Sequence, residues 1–82
     1  MITFPSQYSL TDTGVNFPVL NDNRRAVCSI TFEALQDRFQ VLNNLEAGFN
    51  ANRNAINNLA RKLIELNPNE DRYLITTTNP DT

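Results

Sequence analysis

The residues of this chain whose types and spacing could do chemistry are Asp12-Thr13-Gly14, Cys28, Arg53 and a row of amide and basic side chains between 50 and 62. Asp-Thr-Gly is the triplet that carries the catalytic carboxylate in aspartic proteases, where two such groups share a proton. That chemistry goes with a glycine-rich, nearly all-β chain. This one has two glycines, Gly14 and Gly48, and half of it reads as helix, so the triplet is expected to be a turn. Cys28 lies just before a helix start, where the helix dipole lowers a thiol pKa. Its alternation with Ala26 and Ile30 turns it inward, and the chain has no histidine to activate it; a small core residue is the expectation.

Arg53 falls near the apolar seam of a helical stretch. Its expected role is a semi-buried ion pair with Glu33 or Asp37 that fixes the angle between two helices, with a clamp on a carboxylate or phosphate ligand as the alternative. The candidate interaction surface is Asn50, Arg53, Asn54, Asn57, Asn58, Arg61 and Lys62. An asparagine amide can pair with the edge of adenine, with the basic residues on phosphates, if a helix-turn-helix presents this face to a groove. The acidic balance, net −2, weighs against that use and favours a solvated polar face. Asn52 takes an a/d-like place in the series 45, 49, 52, 56, 59, 63, where a buried amide would set the register of paired helices.

Composition narrows the choices further. Without histidine the chain lacks the commonest general base and zinc ligand, and two glycines cannot make a phosphate-cradling loop; no catalytic residue, metal or cofactor is expected. A lone cysteine forms no intrachain disulfide, which fits a reducing compartment. No apolar run reaches transmembrane length, and Met1-Ile2-Thr3-Phe4-Pro5 lacks the layout of a signal peptide. A cytoplasmic protein without a membrane partner is the expectation.

These residues are positioned by a chain of 82 residues that reads as one domain. Its organising stretch is Leu42 to Leu66, where Leu45, Phe49, Ile56, Leu59 and Leu63 fall on one face of a single long helix. Asn43 is its expected N-cap with Glu46 completing a capping box, and Pro68 stops it near Leu66. Such a helix would be about 36 Å long in a globule roughly 30 Å across, so its last turn is expected to protrude. Gly48 would either bend it or make room for a neighbour. Before it, Thr31 caps a short helix over 32–39 in which Phe32, Leu35 and Phe39 share a face.

The first thirty residues read as strands. Val15, Phe17 and Val19 alternate, as do Ala26, Cys28 and Ile30, and a hairpin turning on Asp22 and Asn23 sets Val15 opposite Ile30, Phe17 opposite Cys28 and Val19 opposite Ala26. The nitrogen of Pro18 must then face an edge or a bulge. Ile2-Thr3-Phe4 reads as a short edge strand, with Tyr8 and Leu10 folding back on the core. Tyr73 to Thr78 is a closing strand after a loop at 69–71, and 79–82 is a frayed tail. The fold expected is α+β: a small, mainly antiparallel sheet with a hairpin, one short and one long helix on one face, and a C-terminal strand.

Over Cys28-Ser29-Ile30-Thr31-Phe32-Glu33-Ala34-Leu35-Gln36-Asp37-Arg38-Phe39, and again through Phe49-Asn50-Ala51-Asn52-Arg53 and Ile56, the sequence resembles the small bacterial proteins of unknown function designated DUF1488. The shared pattern is an extended N-terminal half, a strand carrying Cys and a helix-capping Ser or Thr, an aromatic before a tight turn, and a helix with Asn-Arg in its middle. This chain has no glycine between Phe39 and the long helix, so that turn is expected to be built differently. The resemblance implies a short, cytosolic, bacterial α+β protein and supplies no activity. The long helix and a free sheet edge near Pro18 lead instead to the expectation of a non-enzymatic protein-binding or regulatory module, as a homodimer or with another protein. The alternative is a nucleic-acid-binding transcriptional regulator using the helix over 43 to 62.

Overall fold

In the computed structural model residues 1–80 are described, as β1 (Ile2–Thr3), β2 (Ser9–Leu10), β3 (Gly14–Asn21), β4 (Arg24–Thr31), α1 (Phe32–Phe39), α2 (Leu45–Ala51), α3 (Arg53–Leu66) and β5 (Arg72–Ile75). The architecture is the expected α+β one, and the sheet order is β1-β3-β4-β5, with β2 also beside β3. The hairpin has the register read from its alternation: Val15 pairs with Ile30, Phe17 with Cys28 and Val19 with Ala26. Its two-residue turn places Asp22 at φ 57°, the positive value that primed hairpin turns ask of their first central residue.

The Phe32 N–H donates to the Thr13 carbonyl at 2.8 Å, which fixes the alternation of the ladder. By that alternation Pro18 and Val27 form a pair without mutual hydrogen bonds, so the Pro18 nitrogen faces away from β4. It meets the gap between β1 and β2, where no strand would bond to it. Val27 correspondingly turns its own N–H outward, to the Asp71 carbonyl at 3.0 Å.

Inward residues of the hairpin, Val15, Phe17, Val19, Cys28 and Ile30, are fully buried against a layer of helices. As expected, Thr31 caps α1, its hydroxyl accepting from the Ala34 N–H at 3.0 Å, and Ile30 and Leu35, placed before the cap and one turn after it as a hydrophobic staple, are both buried. The helix ends on Gln40 in the left-handed conformation, φ 59° and ψ 32°, the place a glycine takes most readily. The missing glycine is thus replaced by a glutamine whose N–H reaches the Gln36 carbonyl at 3.1 Å.

The single helix expected over Leu42 to Leu66 is two helices. Its N-cap is Asn44 rather than Asn43, the side chain accepting from the Ala47 N–H at 3.0 Å. The break falls at Asn52, which leaves helical geometry at φ −106° and ψ 16°. There the Asn52 side-chain amide donates to the Gly48 carbonyl at 2.8 Å, while its backbone N–H is shared between Gly48 and Phe49 carbonyls at 3.1 and 3.2 Å. A short amide competing with the helical ladder for a carbonyl is the known way asparagine weakens a helix interior. Asn52 therefore uses its amide within the chain. Gly48 serves proximity: a Cβ there would stand 2.3 Å from Val41 Cγ1. With the break, α3 is about 21 Å long, well short of the single helix expected.

The helices carry the chain back along the sheet, so β5 pairs parallel with β4, Cys28 opposite Tyr73 and Ile30 opposite Ile75. The strand expected over 73–78 stops at Ile75. Beyond it the Thr76 hydroxyl accepts from the Asn79 N–H at 3.1 Å and the Thr76 N–H donates to the Asn79 carbonyl at 2.8 Å, a turn in place of further ladder. Of the expected tail, Asn79 and Pro80 are held: Pro80 is buried, and its carbonyl accepts from Arg38 Nη2 at 2.5 Å. Residues 81–82 lie outside the described residues. At the N-terminus, Tyr8 packs against the core as expected, whereas Leu10 is 51% exposed because β2 has only a two-residue pairing at the sheet edge.

Candidate interaction surface

Arg53 opens α3, and its place just after the break aims it across the core at the N-terminal segment. Its guanidinium lies over two rings, 5.1 Å from the centre of Phe17 and 4.9 Å from that of Phe49. It donates to the carbonyls of Pro5 at 2.9 Å, Ser6 at 3.2 Å and Gln7 at 3.3 Å, and its Nε to Asn57 Oδ1 at 3.2 Å. The expected ion pair with Glu33 or Asp37 does not form; carbonyls and ring faces hold the cation instead. Segment 5–7 contributes no strand pairing to the sheet, so its carbonyls are open to the planar fork of an arginine. Burial draws the Arg53 pKa below its ordinary value, partly offset by the neighbouring Cys28 and Tyr8.

Much of the remaining amide-rich face serves the same fastening. Asn50 donates to the Tyr8 hydroxyl at 3.1 Å, and that hydroxyl donates to Glu46 at 2.5 Å. Arg61 lies 5.4 Å from the centre of the Phe4 ring and donates to Asn58 at 2.9 Å. Asn54 and Lys62 are exposed, without a described side-chain bond. The structure thus gathers Asn50, Arg53, Asn57, Asn58 and Arg61 into a seam that clasps residues 4–8 to the helices.

The other residues singled out fall in the core. Leu35, Phe49 and Ile56 are fully buried, Phe32 and Phe39 pack against the same cluster, and Thr31 is the α1 cap. Cys28 is fully buried; burial pushes its thiol from 9.0 up to about 12 against the opposing pull of the Arg53 cation, so it is a protonated core residue at neutral pH. The Asp12-Thr13-Gly14 triplet is a turn, with the Thr11 hydroxyl accepting from the Gly14 N–H at 3.0 Å. Gly14 is needed there because a Cβ would lie 2.1 Å from the Ile30 carbonyl oxygen. Among the described residues no three Cys, Asp or Glu side chains gather as metal ligands, and no helix is long and apolar enough to cross a membrane.

Residue types alone do not point to the other side of the sheet. If Val15, Phe17 and Val19 point to the helices, then Asn16, Pro18 and Leu20 point away, as do Arg25, Val27 and Ser29 on β4 and Arg72 and Leu74 on β5. Among the described residues no helix covers this side. A hollow of about 460 Å³ is lined by Pro18, Leu20, Arg25, Val27 and Asp71. A second, of about 340 Å³, shares Pro18 and Val27 and adds Arg72, and a third, of about 300 Å³, runs on past Ser29 and Leu74. The first two share Pro18 and Val27, and the second and third share Asn16 and Arg72, so the three lie side by side as a shallow trough along the sheet with Pro18 and Val27 flooring its first two parts. The alternation that located the core also located this floor, because its outward set is itself half apolar.

A two-layer α+β protein, with helices on one side of the sheet and a shallow trough on the other, is the class that these features define. The chain belongs to the family described as Protein of unknown function (DUF1488), whose model matches residues 2–76. No curated protein and no solved structure matches it significantly.

Proposed function

We propose that this protein is a non-enzymatic binding or regulatory module that works through protein contact at the outer face of its sheet. One observation carries the reading: the helices cover a single side, and the other keeps Pro18, Leu20, Val27 and Leu74 in a trough open to solvent. A concave, partly apolar, rigidly backed surface suits a protein partner. The ionisable groups lining the trough are Arg25, Arg72 and Asp71 beside the partly buried Tyr8, which supports binding rather than acid–base work. The unpaired thiol of Cys28 fits a cytoplasmic setting. The nucleic-acid reading through the helix has less support, because Arg53 and Arg61 are already bound to carbonyls, rings and an asparagine.

The test is a photo-crosslinking benzoylphenylalanine placed at Leu74 and, separately, at Lys62, irradiated in a lysate of the source organism. Protein adducts from position 74, either a second copy or another chain identified by mass spectrometry, are the expected result. Adducts from position 62 alone, or adducts to nucleic acid, would overturn it.

A further inference from the structure

The charges around the trough say more about what it takes. Arg24 is occupied, donating to Asp71 at 2.9 Å and to the Asn69 carbonyl at 2.6 Å, so the carboxylate on the trough's rim is already neutralised. Arg25 and Arg72 are exposed and have no hydrogen bond or ion pair among the described residues. Val27 stands beside Arg72 across the β4–β5 ladder and two residues from Arg25 on its own strand, which sets the two arginine Cα atoms about 8 Å apart. Pro18 lies beside Val27 on the other flank. The face is thus two uncommitted cations next to an apolar floor, on a chain whose overall charge is −2.

From this we infer that the trough docks an acidic protein segment, Arg25 and Arg72 each taking a carboxylate while an apolar side chain of the segment rests on Pro18 and Val27. The inference rests on the reading of this face as a protein-docking surface and adds the chemistry of the partner. Residues i and i+2 of an extended chain share a face at about 7 Å, a spacing the two arginines match. Arginine is also the cation best suited to grip a carboxylate with two bonds. A second copy fits less well: a two-fold pairing of this face would set arginines against arginines, with Asp71 already held by Arg24. Single-stranded nucleic acid would want stacking platforms, and every Phe and Tyr of the chain belongs to the core or packs against it.

The experiment is a fluorescence-anisotropy titration of the full chain at low and physiological salt. The probes are a labelled peptide built on Glu-Thr-Glu-Thr-Leu, the same peptide with Gln for Glu, and a labelled oligothymidylate. Saturable binding of the acidic peptide is expected, weaker with salt, and about tenfold weaker for the Gln peptide and for the double variant Arg25→Gln, Arg72→Gln. Equal binding of both peptides, lost in Val27→Asp and unchanged in the arginine variant, would overturn the acidic specificity while leaving the face as a protein-docking surface. No binding of either peptide even at low salt would also overturn the inference, and the cross-link at position 74 then decides whether the docking reading survives. Tighter binding of the oligonucleotide through the same arginines would overturn both.

Discussion

On the helix side of the sheet Arg53 sets its guanidinium over Phe17 and Phe49 and on the carbonyls of residues 5–7, whereas on the other side Arg25 and Arg72 stand in solvent beside Pro18 and Val27. The residue type is the same, and the difference lies in what folding has brought to it. Around Arg53 the chain supplies carbonyl dipoles and ring faces, so the cost of partly desolvating the cation is offset and the cation becomes a fastening. Around Arg25 and Arg72 it supplies an apolar floor, and the one carboxylate beside them, Asp71, is already held by Arg24. A cation left so is available to another molecule, and substitutions on the two sides separate fastening from availability.

The largest effect belongs to the covered side. Phe49 is fully buried, with ring centres of Phe17 and Tyr8 at 5.6 and 5.3 Å and the Arg53 cation above it. Phe49→Ala should cost about 3–5 kcal/mol, which is of the order of the whole stability of so small a domain. Urea denaturation followed by circular dichroism checks it; a loss under about 1 kcal/mol would mean that the ring is not the centre of the core. Next comes Arg53→Lys, which keeps the charge and loses the planar fork. It should cost about 1–3 kcal/mol and speed proteolytic cleavage between Phe4 and Tyr8, with binding at the outer face unchanged. If stability were untouched and binding lost, Arg53 would belong with the available cations.

Gly48→Ala tests how the helix layer closes over that side. Alanine favours a helix, yet the added Cβ would meet Val41 Cγ1 at 2.3 Å, and a valine branch has little room to withdraw. The two effects oppose, and a net loss of about 1 kcal/mol is expected in the same denaturation assay; a gain in stability would show that Val41 can step aside. Cys28 supplies a pH signature of the same interior. Its pKa is raised from 9.0 to about 12 on folding, so the folded chain holds the thiol proton more tightly. That contribution to stability is complete below pH 9.0 and is lost as pH rises through about 12. Wild type should therefore lose stability faster than Cys28→Ala across this window, and parallel curves would contradict the burial of the thiol.

The sequence made some of this legible and hid the rest for physical reasons. The β3–β4 hairpin could be read because its register follows from a period of two and a two-residue turn, both local properties. The α1 cap at Thr31 could be read for the same reason. The break at Asn52 could not, since it depends on an amide winning the Gly48 carbonyl from the helical ladder, a contest that apolar spacing does not register. The partners of Arg53 were hidden more deeply: backbone carbonyls 46 to 48 residues away carry no residue type, whereas the carboxylates of Glu33 and Asp37 do. The outer face was half visible. Alternation names Pro18, Leu20 and Val27 as outward residues, but that no layer covers them follows only once all three helices are placed on the other side.

The smallest expected effect is the one on which the contrast depends. Arg25 and Arg72 are exposed and their side chains make no hydrogen bond or ion pair among the described residues, so Arg25→Gln and Arg72→Gln, singly or together, should change stability by no more than about 0.5 kcal/mol. Their Cα atoms stand about 8 Å apart on neighbouring strands, so a slight gain from relieved repulsion is as consistent as no change. A loss above about 1 kcal/mol in the double variant would mean that the arginines have structural partners, and the two sides of the sheet would no longer differ in kind. With stability held, any weakening of peptide binding in these variants reports on the trough itself, because the surface has changed while the core beneath it has not.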